Sequence, residues 1–282
     1  MDSKIIEIKE LNHADRDASV KLVSIENHKF VLKTDDLREI AAQKFFNQQL
    51  EEHNIPALLG HAHVHLQPNQ ILLEYVEESL TLGNALSEER CRKWGEIVSR
   101  MHAIQKNKLA VLDPEGNQVS VEWPSYIKKY IDAAVARHRS LPCSLGDDLI
   151  GQIQNILYDL VKFQPTELSV THGDLHVHNV LVKGEELILF DKFADFLVAP
   201  AAFDIALLYA EAFSGAAFPE LQLSSAEQQK YFQAFMDGYG PLSAEQQKWL
   251  DHFILLRAFY RWPNRFAPHS GEVIRLMARK LK

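Results

Sequence analysis

Cysteine is scarce in this chain, and the little there is forms no pattern. Cys91 and Cys143, two residues in 282, cannot build a disulfide framework. That excludes the small cross-linked secreted class and predicts a reducing, cytoplasmic setting. Any apolar run of about 18 residues is missing too, so no membrane span is expected. The opening Met1-Asp2-Ser3-Lys4 leads into an alternating pattern rather than an apolar signal core. A basic surplus is also lacking. The formal charge of −8 argues against broad binding to nucleic acid, which needs a positive surface. It is compatible with a cationic small molecule. No low-complexity segment and no internal repeat interrupts the chain.

What remains is an ordinary globular composition, 46% hydrophobic and 24% charged, at a length that suits one large domain or two lobes. The first third reads as strands around one helix. Ile6 and Ile8 alternate with charged residues between Lys4 and Leu11, and Val20 to Ile25 and Phe30 to Lys33 follow as strands. Asn27-His28 between them reads as a tight turn. Asp35 or Asp36 can cap a helix from about Leu37 to Glu52, with Ile40, Ala41, Phe45 and Leu50 as its apolar positions. His61 to Leu66 and Ile71 to Val76 read as further strands joined at Pro68-Asn69. After Val76 helical periodicity takes over: from Ser87 through Met101, Tyr126 to Val135, Leu149 to Val161, Ala201 to Phe213, Ala226 to Tyr239, Ala244 to Tyr260, and a last helix after Ser270. The pattern predicts an α+β protein, with a small β-rich lobe over residues 1–76 and a larger helical lobe over 77–282, hinged near Glu74 to Glu78.

One string stands out: Thr171-His172-Gly173-Asp174-Leu175-His176-Val177-His178-Asn179-Val180-Leu181, then Leu187-Ile188-Leu189-Phe190-Asp191. An Asp, an Asn five residues on and a second Asp closing a short apolar run are what phosphoryl transfer from a nucleotide requires. One carboxylate orients the nucleophile's hydroxyl, while an amide oxygen and a second carboxylate hold magnesium on the phosphates. Val180-Val182 and Leu187-Phe190 form a hairpin-like pair around Lys183-Gly184, which would bring Asn179 and Asp191 together. Each residue taken alone has a plainer reading: Asp174 a turn cap, Asn179 a turn residue, Asp191 an exposed strand end. His172, His176 and His178 could be read as a zinc cluster, but nothing at suitable spacing completes one. His61, His63 and His65 would share one face of a strand, most simply a solvent-facing one.

On this string and the order of the other parts, the chain resembles the aminoglycoside phosphotransferase and choline kinase group, which shares the two-lobed protein-kinase-like fold. The likeness runs over nearly the whole chain. It implies Asp174 as catalytic base, Asn179 and Asp191 as magnesium ligands, and His172 as a structural residue of the loop. Lys33, closing Phe30-Val31-Leu32, would reach the phosphates of ATP or GTP, with Glu39 on the next helix as its partner; Glu51 and Glu52 lie too far along. Leu72-Leu73-Glu74-Tyr75-Val76 resembles the hinge, where adenine would meet backbone groups near Glu74 and Val76. Asp204 matches a helix-start Asp that braces the catalytic loop. The acceptor would be a hydroxyl on a small molecule. Asp195, Glu211, Tyr209, Trp94, Trp123 and Tyr126 are conceivable wall residues, although ordinary core or surface roles suit each better.

Three features depart from the family. The segment Asn12 to Ser19 contains no glycine, where a phosphate-covering loop usually lets its backbone approach closely; Arg16 or Ser19 could make the contact instead. Lys192 stands where an aromatic residue often follows the metal Asp, and Ala199-Pro200 lacks the usual preceding acid. The leading reading is a magnesium-dependent small-molecule kinase. Its alternatives are a non-catalytic nucleotide-binding protein and, disfavoured by the short stretch from Asp191 to Asp204, a protein kinase. Substrate identity and oligomeric state are left open by the sequence.

Overall fold

The computed structural model describes residues 6–11, 19–58, 66–140, 145–191, 196–209, 221–261 and 267–281. The chain begins with three antiparallel strands, β1 (Ile6–Glu10), β2 (Ser19–Ile25) and β3 (His28–Thr34). The β2–β3 turn sits on Glu26 and Asn27, both at positive φ, rather than on Asn27-His28. His28 already pairs with Ile25, because two consecutive left-handed residues match the twist of the flanking strands. Helix α1 (Leu37–Glu52) starts where Asp36 Oδ1 accepts the Glu39 N–H at 2.9 Å. Strand β4 (Gln70–Glu74) then closes a four-stranded sheet in the order β1-β2-β3-β4.

Helix α1 belongs to two cores at once. Ile40 packs with Ile71, Leu73 and Val76 against the sheet, whereas Ala42, Phe46 and Leu50 enter the main core of the molecule. The expected stripe through Ala41 and Phe45 is only partly buried. Amphipathic periodicity assumes one buried face, and a helix wedged between two layers has two.

Beyond Glu74 the chain leaves the small sheet. It forms β5 (Leu80–Thr81), α2 (Glu88–His102), β6 (Gln105–Lys106), β7 (Ala110–Leu112), β8 (Gln118–Ser120), α3 (Trp123–Arg139), α4 (Asp147–Leu157) and α5 (Asp159–Lys162). Next come β9 (Leu168–Val170), β10 (Val180–Lys183), β11 (Glu186–Leu189) and β12 (Val198–Ala199). The described residues continue with the helices α6 (Ala202–Leu207), α7 (Ser225–Tyr239), α8 (Ala244–Arg261) and α9 (Ala267–Lys280). The architecture is α+β, a small antiparallel sheet with one helix and a larger, mainly helical part. The large part is less purely helical than its periodicity predicts. Strands β6, β9, β12, β7 and β8 form a five-stranded sheet in that order, and β11, β10 and β5 a three-stranded one. Apart from the β10–β11 hairpin, expected from its two apolar runs, these strands are two or three residues long, too short for alternation to reveal. The expected helix Leu149 to Val161 breaks at Tyr158, between α4 and α5.

Helices α2 and α7 approach closely through glycines. A Cβ on Gly95 would lie 2.0 Å from the Phe235 carbonyl oxygen, and one on Gly238 would lie 2.0 Å from that of Arg92. Trp94 fills the adjacent space edge-on to Phe235, with ring centroids 4.8 Å apart. This scaffold positions the singled-out string. Strand β9 delivers it from the five-stranded sheet and β10 receives it in the three-stranded one, so its ends are tied to two sheets.

Candidate active site

The loop between β9 and β10 is anchored from below by one carboxylate. Asp204, at the start of α6 and fully buried, accepts the N–H of His172 at 2.6 Å and that of Gly173 at 2.8 Å. His102 Nε2, from the end of α2, lies 3.2 Å from the same carboxylate, and Tyr239 Oη of α7 bonds His102 Nδ1 at 2.9 Å. Burial opposes the charge on Asp204, but the His102 ring and the loop N–H groups outweigh it and hold this carboxyl well below the usual range. The reverse side of the same relation raises the Tyr239 phenol, through burial first and the Asp204 charge second.

His172 is fixed by its own ring. Nε2 donates to the Phe190 carbonyl at 2.7 Å, which leaves Nδ1 to accept the Asp174 N–H at 3.3 Å. Phe46 of α1 meets the ring edge-on at 5.2 Å. Gly173 takes φ +80°, a backbone conformation that costs a glycine little. The peptide leading into Asp174 is therefore held at several points before that side chain begins.

Asp174 itself is buried. Asn179 Nδ2 donates to its backbone carbonyl at 2.9 Å and to its Oδ2 at 3.2 Å. His176 Nε2 stands 3.3 Å from the same Oδ2, and its Nδ1 accepts the His178 N–H at 3.2 Å. The Asn179 amide nitrogen is thus engaged by Asp174. Hairpin β10–β11 pairs Val180 with Leu189, and the Phe190 N–H bonds the Asn179 carbonyl at 3.2 Å. Asp191 follows immediately, at φ +57°. The geometry brings Asp174, Asn179 and the base of Asp191 into one neighbourhood.

Lys33 joins them from β3. Alternation puts Lys33 on the same face as Val31, which packs toward Ile40, Ile188 and Phe190. Lys33 Nζ lies 2.7 Å from Asp191 Oδ1 and 3.3 Å from Asp35 Oδ2. The ion pair expected with Glu39 is not among those of the described residues; Asp35 and Asp191 take its place. Burial works against the Lys33 charge, yet these two carboxylates raise its pKa overall. Glu39 stays close enough to sense Lys33. Burial, only partly offset by that cation and reinforced by Asp35, Asp36 and Asp191, pushes its carboxyl up to about 7. Asp35 escapes a sequence reading because it neighbours Asp36, and either could cap α1; the structure gives Asp36 the cap and Asp35 the lysine.

The remaining candidates fall in different places. Glu74 ends β4 opposite Phe30 with its side chain exposed, and the buried Val76 accepts the Ser79 hydroxyl at its carbonyl, 2.8 Å away. Trp94 and Trp123 are core residues, not wall residues, and Trp123 Nε1 donates to the Leu160 carbonyl. Tyr126 packs on Phe196, and Tyr209 packs on Phe232 while largely exposed. His178 bonds Thr81 and covers Gly83, where a Cβ would come within 2.5 Å of its ring. Asp195, Glu211, Lys192, the segment 12–18 with Arg16, and His61, His63 and His65 lie outside the described residues. Among the described residues no helix is long and apolar enough to cross a membrane.

The family model for the phosphotransferase enzyme family matches residues 7–249. The chain belongs to that family. Its fold is shared with solved members. A thermostable mutant of aminoglycoside phosphotransferase APH(4)-Ia superposes with TM-score 0.71 at 12% identity, over 98% of this chain and 95% of that one. Spectinomycin phosphotransferase APH(9)-Ia, in complex with ADP and spectinomycin, gives 0.56 at 14% identity over 98% and 92%. Macrolide 2'-phosphotransferase MphH from Brachybacterium faecium gives 0.55 at 15% identity over 95% and 91%. No curated protein sequence matches the chain significantly. As a member of this family the protein is a phosphotransferase, and the kinase-like fold expected from the sequence is the fold observed.

Proposed function

We propose that the protein transfers the γ-phosphate of ATP, or GTP, to a hydroxyl group of a small molecule in a magnesium-dependent reaction. One observation carries this reading. A buried Asp is hydrogen-bonded by the amide of an Asn whose hairpin returns an Asp to a lysine on the opposing sheet. No scaffold role needs that combination.

In this reading Asp174 aligns the acceptor hydroxyl. The acceptor oxygen forms a bond to the γ-phosphorus, the bond to the departing nucleoside diphosphate breaks, and the hydroxyl proton passes to the Asp174 carboxylate. Donation from Asn179 and His176 to Oδ2 would set the carboxylate's rotation. Lys33 would steady the phosphates, with Asp35 and Glu39 as alternative resting partners for its charge. The Asn179 amide oxygen and the Asp191 carboxylate are the hard oxygen donors that magnesium takes. Bound there, the ion would neutralise phosphate charge. Backbone groups at Glu74 and Val76 would meet the base. The proposed division of labour follows the chain, with nucleotide binding in 1–76 and catalysis and acceptor binding in 77–282. Adenine nucleotide is supported by the similar structure of an APH(4)-Ia mutant, a ternary complex with ADP and hygromycin B. The net charge of −8 suits a cationic acceptor such as an aminoglycoside or an amino alcohol.

The test is a coupled nucleotide-consumption screen against aminoglycosides, amino alcohols and sugars, with and without magnesium, beside thermal melts with nucleotide and magnesium. Turnover with one acceptor class, dependent on magnesium, is expected. Stabilisation by nucleotide without any turnover would favour a non-catalytic binding protein, and neither response would remove the nucleotide from the account.

A further inference from the structure

Arg257 of α8 has no assigned role, and its surroundings are hard to reconcile with a merely structural one. Its side chain is 0% exposed. One donor, Nη2, bonds the Gly173 carbonyl, and the guanidinium lies 4.2 Å from the centroid of the Phe203 ring. Nε and Nη1 are buried without a hydrogen-bond partner among the described residues. No carboxylate forms an ion pair with it among the described residues. A buried cation with two unmade donors costs stability, and an apolar side chain of similar volume would commonly serve the fold as well or better. Stability given up in this way is characteristic of positions retained for activity.

The bond to Gly173 shows where that activity lies. The carbonyl held by Arg257 and the N–H held by His172 Nδ1 belong to one peptide group, the one between Gly173 and Asp174. Its two ends are gripped by side chains from different parts of the molecule. The preceding peptide is gripped by Asp204. Rotation of the 173–174 plane would swing the Asp174 Cα–Cβ bond away from the acceptor.

We infer that Arg257 is a positioning residue for phosphoryl transfer, clamping the 173–174 peptide so that the Asp174 carboxylate faces the acceptor hydroxyl. This inference rests on the reading of Asp174 as the proton-accepting group. Arg257→Met, Arg257→Lys and Asp174→Asn separate the two. The measurements are the melting temperature, the Kd for ATP with magnesium, and kcat and KM for transfer to the acceptor and to water.

Arg257→Met should melt at or above the parent temperature and bind nucleotide within about twofold of it, with kcat reduced roughly 10–100-fold, the scale on which small misplacements act. Arg257→Lys, which can restore one donor to the Gly173 carbonyl, should recover about tenfold of that loss. An unchanged kcat in Arg257→Met overturns the inference. So does a loss of kcat that follows a lowered melting temperature and a raised Kd in proportion, with no recovery in Arg257→Lys. Should Arg257→Met fail to fold, Arg257→Gln, which keeps an amide donor without the charge, takes its place under the same criteria. If Asp174→Asn turns over at the parent rate, the reading of Asp174 fails; if Asp174→Asn is inactive and Arg257→Met is not impaired, only the role of Arg257 fails.

Discussion

The loop around Asp174 and the charged cluster around Lys33 meet through the β10–β11 hairpin, yet they are held in different ways. The loop is buried and over-determined: Asp204, Asn179, Phe190 and Arg257 each fix a separate backbone or side-chain atom of it, and His102 in turn holds Asp204. The cluster is a set of exchangeable charges. Lys33 has two carboxylate partners in hand and a third nearby, and Asp191, with its side chain 30% exposed, is reachable from solvent. Orienting a hydroxyl for in-line attack tolerates little freedom, so rigidity there serves the chemistry. In the proposed reaction Lys33 must change partners to receive a triphosphate, so several weak attachments would serve better than one strong one.

The contrast breaks or sharpens under substitution. The largest effect belongs to Asp174→Ala: transfer should fall about 1,000-fold or more while nucleotide affinity stays near the parent value, as read by turnover and titration. A variant that lost both together would erase the distinction between the two regions.

Next comes Asp204→Ala, which strands two buried loop N–H groups. Its unfolding free energy should drop by about 3 kcal/mol in denaturant titration, with activity lost as the loop loosens. The parent's acid response carries the same signature. Asp204 titrates lower in the folded than in the unfolded chain, so the unfolded chain binds more protons in between. Its contribution is complete above about pH 4 and is lost as pH falls below that. The Asp204→Ala variant should show a shallower acid limb.

Lys33→Met should weaken binding of nucleotide about tenfold and lower the melting temperature less than Asp204→Ala does, because Asp191, with its side chain 30% exposed, stays hydrated once the lysine is gone. If it destabilised the fold as much as Asp204→Ala, the cluster would have to be counted as structural.

The smallest effect is Glu39→Gln. Glu39 has a raised carboxyl in the folded state, so ionising it costs stability as pH rises from about 4.3 toward 7. The variant should gain roughly 1 kcal/mol or less at pH 8 and nothing at pH 4, seen as a melting difference that appears only at the higher pH.

Much of this was legible in the chain. Helix α1 begins and ends where its cap and its apolar pattern place it, and hairpin β10–β11 is announced by two apolar runs around Lys183-Gly184. Asp174, Asn179 and Asp191 are close in sequence, so short-range geometry suffices to gather them. The partner of Lys33 was not legible, since Asp35, Glu39 and Asp191 are all carboxylates and only packing ranks their distances. Arg257 gave no signal at all. An arginine inside an amphipathic helix reads as solvated, and only the crossing of α8 beneath the loop buries it against Gly173, 84 positions earlier in the chain.

Local order along the chain therefore determined the family, the α+β class and the side chains proposed to handle phosphate, because those depend on residue type and short spacing. Tertiary packing alone decided which carboxylates share Lys33, that α1 serves two cores, and that a buried cation grips the peptide before Asp174. Those are outcomes of which surfaces meet, and the energies that select them arise only once water has been excluded from between them.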